Sequence, residues 1–309
     1  MRLIKPKFWD KNYLTFQSVI LYPFTLIVDI REILTSIISS KKYPQIKTIC
    51  VGNIYLGGTG KTPLVDSLAK NLKKKFKTVI IKKKYKRHID EKILLEKNNK
   101  VFFDENREIS LRKAINNRFQ LAIFDDGLQD KKIEYDLKIV CFNSVSLAGN
   151  QLQLPAGPLR ERLNSLRKYD AIFINGSNNN KNFLKKIKEI SPNIPVFHGE
   201  YICSNLSKYR KKNYTIFSGI GNPKSFEQTL IKNNIKFDIS LIYPDHHNYS
   251  KTDIDEICKI ARDKNLKLLT TEKDFYRIPF KLRKNIDYLK ISLKIKQLKK
   301  FNKFINKYL

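Results

Sequence analysis

Gly57, Gly58, Thr59, Gly60, Lys61 and Thr62 stand in a row between an apolar run, Ile49-Cys50-Val51, and a helical pattern from Pro63 to Leu72. Strand, glycine-rich turn, Lys-Thr and helix is the order a phosphate cradle needs. Glycines let backbone N–H groups turn toward a polyphosphate, and the helix N-terminus adds a favourable dipole. Lys61 is then placed to reach the β- and γ-phosphates, and the Thr62 hydroxyl to ligate Mg²⁺. Pro63 suits the first helical turn, where its missing N–H costs little. The spacing departs from the usual phosphate loop. The position five residues before Gly60, ordinarily glycine, is Tyr55.

Two further groups carry chemistry. Leu121-Ala122-Ile123-Phe124 is an apolar strand that ends in Asp125 and Asp126. In a parallel sheet such an end faces the ligand crevice, where one carboxylate can hold Mg²⁺ and the other can order its shell. Pro244-Asp245-His246-His247 holds two of the four histidines. Adjacent side chains diverge, so the pair is poorly suited to ligating one metal. Two readings stay open for it: packing or surface histidines, or one histidine joining a carboxylate in proton handling for phosphoryl transfer.

The elements that must position these groups alternate along the chain. Strands are expected at 48–52, 77–81, 119–125, 138–143, 170–175 and 194–198, with helices at 63–74, 106–117 and 179–189. That alternation predicts a parallel sheet covered by helices on both faces. A lysine-rich stretch near 203–212 marks a lobe boundary, beyond which 214–220, 237–242, 267–271 and 288–291 form a second α/β set. The expected division is an N-terminal interfacial segment at 1–40, a nucleotide-binding domain at 41–202 and a C-terminal α/β lobe at 203–309.

Lys+Arg total 61 against 29 Asp+Glu, a net charge of +32. Nucleic acid, an anionic membrane surface and a compositional bias toward Lys, Asn and Ile each account for that excess. No basic stripe interleaved with aromatics stands out, so nucleic acid is not an expected partner. Cys50, Cys141, Cys203 and Cys258 are far apart, without metal-ligand spacing, which fits a reducing cytoplasm. Tyr13 to Val28 is free of charge but interrupted by Pro23 and too short to span a bilayer. No small-residue cleavage site follows it. With Arg2, Lys5, Lys7 and Lys11 beside Phe8, Trp9, Tyr13 and Phe16, it reads as a segment lying in the membrane interface.

Taken together, these motifs resemble the tetraacyldisaccharide 4′-kinase family of lipid A biosynthesis. The family's Val-Gly-Asn opening and Gly-Gly-Thr-Gly-Lys-Thr-Pro match Val51 to Pro63, and its Asp-Asp-Gly-Leu-Gln matches Asp125 to Gln129. Leu-Pro-Ala-Gly-Pro-Leu-Arg-Glu matches Leu154 to Glu161 throughout. Gly-Ile-Gly-Asn-Pro matches Gly219 to Pro223, Pro-Asp-His-His matches 244–247, and Thr-Thr-Glu-Lys-Asp matches 270–274.

The resemblance implies a P-loop NTPase-like, doubly wound parallel sheet, a smaller C-terminal α/β domain and an N-terminal membrane-binding helix. It implies ATP with Mg²⁺ as the phosphoryl donor and a tetraacyl glucosamine disaccharide 1-phosphate as the acceptor, its 4′-hydroxyl the nucleophile. The implied setting is peripheral, on the cytoplasmic face of the bacterial inner membrane. It also implies a catalytic aspartate working with a C-terminal-lobe histidine: Asp90, in Ile89-Asp90-Glu91, with His246 or His247.

Departures from the family are specific. Arg-Gly-Tyr-Gly-Arg becomes Lys83-Lys84-Tyr85-Lys86-Arg87, the segment before Asp90 is shortened, and the histidine after Asp-Asp-Gly-Leu-Gln is Asp130. The rival from another class is a membrane-associated partitioning-type ATPase switch. Its signature lysine before the paired glycines is Leu56 here, and it has no use for 154–161 or the histidine pair. Oligomeric state has no signal in the sequence.

Overall fold

The computed structural model describes residues 6–309 except 12, 38, 85–88, 177–179 and 205, and does not describe the side chains of residues 36, 89 and 90. Residues 85–87 of the altered 83–87 loop and the Asp90 side chain therefore lie outside the described residues. The chain forms two compact units. The larger contains residues up to 84, 98–200 and 294–309; the smaller contains 89–97 and 201–293. The chain thus crosses the expected division at 202/203 more than once.

Seven parallel strands build the larger unit: β1 Lys47–Gly52, β2 Thr78–Lys83, β3 Val101–Asp104, β4 Leu121–Asp125, β5 Leu137–Asn143, β6 Ala171–Asn175 and β7 Val196–Cys203. Their order is β7-β6-β5-β1-β4-β2-β3, and Ile291–Ile295 adds an eighth strand beside β7. After β1 the chain skips a place to β2. β4 later fills the gap, and β5 starts the other half on β1's free side. A doubly wound sheet places ligands at the carboxyl ends near such a reversal. β1 and β4 are buried along nearly their whole length because helices cover both faces.

The short strand β3 was not expected from its sequence, Val101-Phe102-Phe103-Asp104, and neither was the split of 288–291 into two strands serving different sheets. The last helix, Leu298–Ile305, explains why 294–309 returns to the larger unit. Its apolar stripe buries Phe301 and Ile305, with the Phe301 ring 5.7 Å from Phe173 and 4.8 Å from Phe197.

The N-terminal segment is two helices, Phe16–Leu21 and Thr25–Ser36, joined by a 3₁₀ turn at Tyr22–Phe24 that accommodates Pro23. Its inner side is tied down by polar groups. Trp9 is buried and its Nε1 donates to Pro155 O at 3.0 Å. Asn150 Nδ2 donates to Ser18 Oγ at 3.1 Å, and the Arg162 fork grips Asp29. The outer side leaves Phe16, Ile20, Phe24, Ile27, Ile30, Ile33 and Leu34 more than half exposed.

The smaller unit is a four-stranded parallel sheet of β8 Asn213–Ser218, β9 Lys236–Ile242, β10 Lys267–Thr271 and β11 Ile286–Leu289, in the order β11-β10-β8-β9. One face packs Tyr214, Ile216, Phe226, Leu230 and Leu289; the other packs Phe217, Tyr249, Ile254, Ile257 and Ile278. Helix Ile89–Glu96 joins this unit by packing on helix Glu272–Arg277, where Lys273 Nζ lies 2.5 Å from Glu91 Oε1.

Candidate active site

The loop after β1 closes on the N-terminus of helix Lys61–Leu72, which starts at Lys61 rather than at Pro63. Gly60, at φ 83°, caps this helix in the left-handed region, which favours glycine. Asn53 ties the loop from inside, donating to Tyr55 O at 2.5 Å and Gly57 O at 3.2 Å, while Asn175 Nδ2 donates to Thr59 O at 2.6 Å. Tyr55, in the place of the usual glycine, is buried. Its backbone bridges to Leu159 and its hydroxyl donates to Asp10 Oδ1 at 2.8 Å. The tyrosine therefore braces the loop against the N-terminal segment and the 154–161 run.

Asp125 ends β4 with no solvent exposure, and its Oδ2 accepts from Thr62 Oγ1 at 3.0 Å and from Lys82 Nζ at 2.5 Å. Its Oδ1 is buried with no hydrogen-bond partner among the described residues. Asp126 follows at φ 60°, a left-handed conformation unusual for a residue other than glycine. The turn aims its carboxylate at Lys61, 3.6 Å away, and at Arg160, 3.3 Å away. Burial pushes this carboxyl's pKa up, but Lys61, Arg160, Lys82 and Arg107 together outweigh it and hold the group below its ordinary value. Arg107 donates to Asp126 O and lies 3.4 Å from Asp130 Oδ2.

The run from Leu154 to Glu161 stitches this site to its surroundings. Arg160 N donates to Ile54 O at 2.7 Å. Gln129 Nε2 bridges Asn53 O and Glu161 Oε1, both at 3.0 Å, and Tyr169 OH donates to Glu161 Oε2 at 2.8 Å. Gly157 is indispensable to the packing, since a Cβ there would lie 2.2 Å from Asn150 Oδ1 and 2.4 Å from Leu152 O. Backbone cannot yield as a flexible side chain can. Gly157→Ala is expected to destabilise the larger unit by about 1–3 kcal/mol, read as a fall in the thermal midpoint.

In the smaller unit three sequence motifs converge on Gly219. Its N–H donates to Asp274 Oδ1 at 3.0 Å, and its carbonyl accepts from His246 N at 3.0 Å and from Arg277 Nη1 at 2.5 Å. Asp274 also accepts from Tyr249 OH at 3.2 Å and Thr271 Oγ1 at 2.6 Å. Burial raises its pKa; Arg277 and these hydrogen bonds only partly offset that. The two histidines separate clearly. His247 stacks on Tyr243 at 4.8 Å and its Nε2 lies 3.0 Å from Asp253, whose carboxylate closes a capping box on helix Lys251–Asp263. His246, at φ 58°, turns its Nδ1 to within 3.2 Å of Arg277 Nη2. Arginine only donates, so Nδ1 accepts and a neutral His246 ring carries its hydrogen on Nε2.

The sequence model of the tetraacyldisaccharide-1-P 4′-kinase family matches residues 17–309. The chain belongs to this family. A tetraacyldisaccharide 4′-kinase of Pelagibacter ubique is 46% identical over 311 residues, covering 99% of this chain and 98% of the relative. One from Rickettsia felis is 33% identical, covering 96% and 94%. Among solved structures, LpxK from Aquifex aeolicus, crystallised in complex with ATP, superposes with a TM-score of 0.70 at 25% identity, covering 95% of this chain and 99% of that one. The P-loop-type doubly wound sheet expected from the sequence is therefore the fold of this 4′-kinase family member.

Of the residues singled out in the sequence, the larger unit assembles Gly57 to Thr62 with Asp125 and Asp126, and the smaller unit holds His246 and His247 with the backbone of Asp90. Sequence reasoning missed Lys82, Arg107 and Arg160 as members of the charged cluster around the two aspartates. Asp130 serves as a partner of Arg107, 3.4 Å away.

Proposed function

We propose that this chain transfers the γ-phosphoryl group of ATP to the 4′-hydroxyl of a tetraacyl glucosamine disaccharide 1-phosphate. The observation that carries the reading, beside family membership, is the convergence of Lys61, Thr62, Asp125 and Asp126 at the mouth of a glycine turn. The turn fits a polyphosphate: Gly57 and Gly60 have positive φ, and the buried Thr59 Oγ1 has no partner among the described residues. A hydroxyl and two carboxylates form the all-oxygen donor set that Mg²⁺ favours, and the orphaned Asp125 Oδ1 is the atom with capacity to spare. No group of three or more His, Cys, Asp or Glu side chains suited to a metal occurs among the described residues. Phosphate oxygens and water would complete the shell, as is usual for Mg²⁺ at nucleotide sites. Bound there, Mg²⁺ would neutralise charge on the phosphates. Lys61 and Arg160 would hold the polyphosphate in register, with Thr62 and Asp125 holding the metal and Asp126 ordering its shell. Asp90 and His246 are assigned to the acceptor hydroxyl.

The deciding experiment follows labelled γ-phosphate from ATP into a tetraacyl disaccharide 1-phosphate in detergent micelles. Labelled lipid that forms only with ATP, Mg²⁺ and acceptor together is expected. ATP hydrolysis indifferent to the acceptor would overturn the reading.

The acceptor is a lipid, and the outward face of the N-terminal helices is the surface proposed to meet its membrane. Among the described residues no helix is long and apolar enough to cross a bilayer. Ile27, Ile30, Ile33, Leu34 and Ile37 form a stripe at helical spacing, all more than half exposed, suited to the headgroup boundary. The +32 net charge supports attraction to an anionic surface, and the cytoplasmic face of the inner membrane is the location proposed for this attachment. Replacing Ile27 and Leu34 by Asp removes two such anchors. At roughly 1–1.5 kcal/mol each for a half-exposed side chain, partition onto anionic vesicles should fall by about thirty-fold or more. ATP binding should be unchanged. Undiminished co-sedimentation of that variant would move the attachment elsewhere.

A further inference from the structure

Lys82 stands at the end of β2 with its side chain 5% exposed, in register with Asp125 on the neighbouring strand β4. Paired residues on adjacent parallel strands project to the same face, so the amine is delivered to the carboxylate by the sheet itself. Its Nζ lies 2.5 Å from Asp125 Oδ2, the oxygen that also accepts from Thr62, while Oδ1 has no hydrogen-bond partner among the described residues. A buried ammonium is strongly unfavourable unless an opposite charge accompanies it, so each member of this pair holds the other in place. The same carboxylate, with its buried Oδ1 and the Thr62 hydroxyl beside it, is the metal ligand assigned above.

We propose that Lys82 is a tethered cation of the phosphate site. It neutralises Asp125 while no divalent ion is bound, keeps Thr62 and Asp125 assembled, and competes with Mg²⁺ for that carboxylate. Lys82 is thus a positioning residue for the metal, and it sets how much Mg²⁺ the site requires. The proposal rests on reading Asp125 as the metal-binding carboxylate.

Three full-length proteins test it: wild type, Lys82→Met, and Lys82→Met combined with Asp125→Asn. Thermal midpoints are read in EDTA and across a Mg²⁺ titration, and the Mg²⁺ dependence of ADP binding is read by calorimetry. In Lys82→Met the midpoint should be depressed in EDTA and restored by Mg²⁺. Half-saturation by the metal should come at a concentration at least about tenfold below that of wild type. The double variant, with neither charge, should regain the midpoint in EDTA and lose the response to Mg²⁺. A Lys82→Met protein equally unstable with and without Mg²⁺, or one with the wild-type Mg²⁺ midpoint, overturns the proposal, as does a double variant no more stable than the single. If wild-type ADP binding ignores Mg²⁺ altogether, the metal reading of Asp125 fails and this proposal fails with it. A normal wild-type dependence left unaltered in Lys82→Met defeats the role of Lys82 alone.

Discussion

Lys61→Ala is expected to lower kcat by at least about a thousandfold while leaving the protein folded. Lys61 begins the helix that follows the glycine turn, where its ammonium adds to the helix dipole and to the loop N–H groups. Phosphoryl transfer needs little from the protein beyond positioning and charge stabilisation, so removing a fixed cation from the transferring group affects the transition state directly. Loss of a single preorganised donor commonly costs about 10²–10³-fold, and a full charge at a phosphate lies at or above the upper end. Stability should change little, because Asp126 keeps Arg160 at 3.3 Å when Lys61 is gone. Thr62→Ala should share the kinetic loss, because the hydroxyl assigned to the metal is removed, and should stay folded, because Lys82 still neutralises Asp125. The check is labelled phosphate transfer at saturating lipid beside a thermal melt. Near-normal turnover in a folded Lys61→Ala protein would remove the phosphate-loop reading.

How far the sequence discloses this site depends on the range of the interactions. The glycine turn and its Lys-Thr are contiguous, so their role is written in one stretch of chain. Asp125 and Asp126 are legible because an apolar strand ending in carboxylates has few other uses beside such a turn. Lys82 is not legible, as it opens a run of three lysines that reads as surface charge. Only the register of β2 on β4 reveals that its amine is buried against Asp125. A weak signal existed: Val79, Ile80 and Ile81 form a strand buried on both faces, and Lys82 falls within it. Arg107 is hidden for a similar reason. It opens a helix that looks solvated from its sequence, yet it reaches a backbone carbonyl in the turn after β4. The assignment of residues 89–97 and 294–309 to their units is set by long-range packing, Glu91 on Lys273 and Phe301 on Phe173 and Phe197, which no local pattern encodes. The segment 203–212, read as a boundary for its lysines, holds a short helix, Ser207–Arg210, whose Tyr209 is buried in the smaller unit.

The acceptor side gives the second large expectation, a fall in kcat of about 10²–10⁴-fold for Asp90→Ala, the usual contribution of a general base. A sugar hydroxyl is a weak nucleophile, and a carboxylate that accepts or orients its proton helps only as the bond to phosphorus forms. ATP affinity should therefore hardly move. The second partner follows from how the smaller unit is built. Helix Glu272–Arg277 carries Lys273 to Glu91, the residue after Asp90, and four residues later carries Arg277 to the Nδ1 of His246. One short helix thus organises both the Asp90 segment and this histidine. His247 is instead committed to Tyr243, Tyr249 and the capping carboxylate of Asp253. His247→Ala should accordingly lower the thermal midpoint more than it lowers kcat. His246→Ala should lower kcat, and its loss should overlap with that of Asp90, so that the double variant is clearly less impaired than the product of the single losses. Multiplicative losses for Asp90 and His246 would show that the two act independently. An Asp90→Ala enzyme with nearly full kcat beside an inactive Asp125→Asn enzyme would place the proton acceptor at the paired aspartates after β4, which would then have to serve both the metal and the hydroxyl.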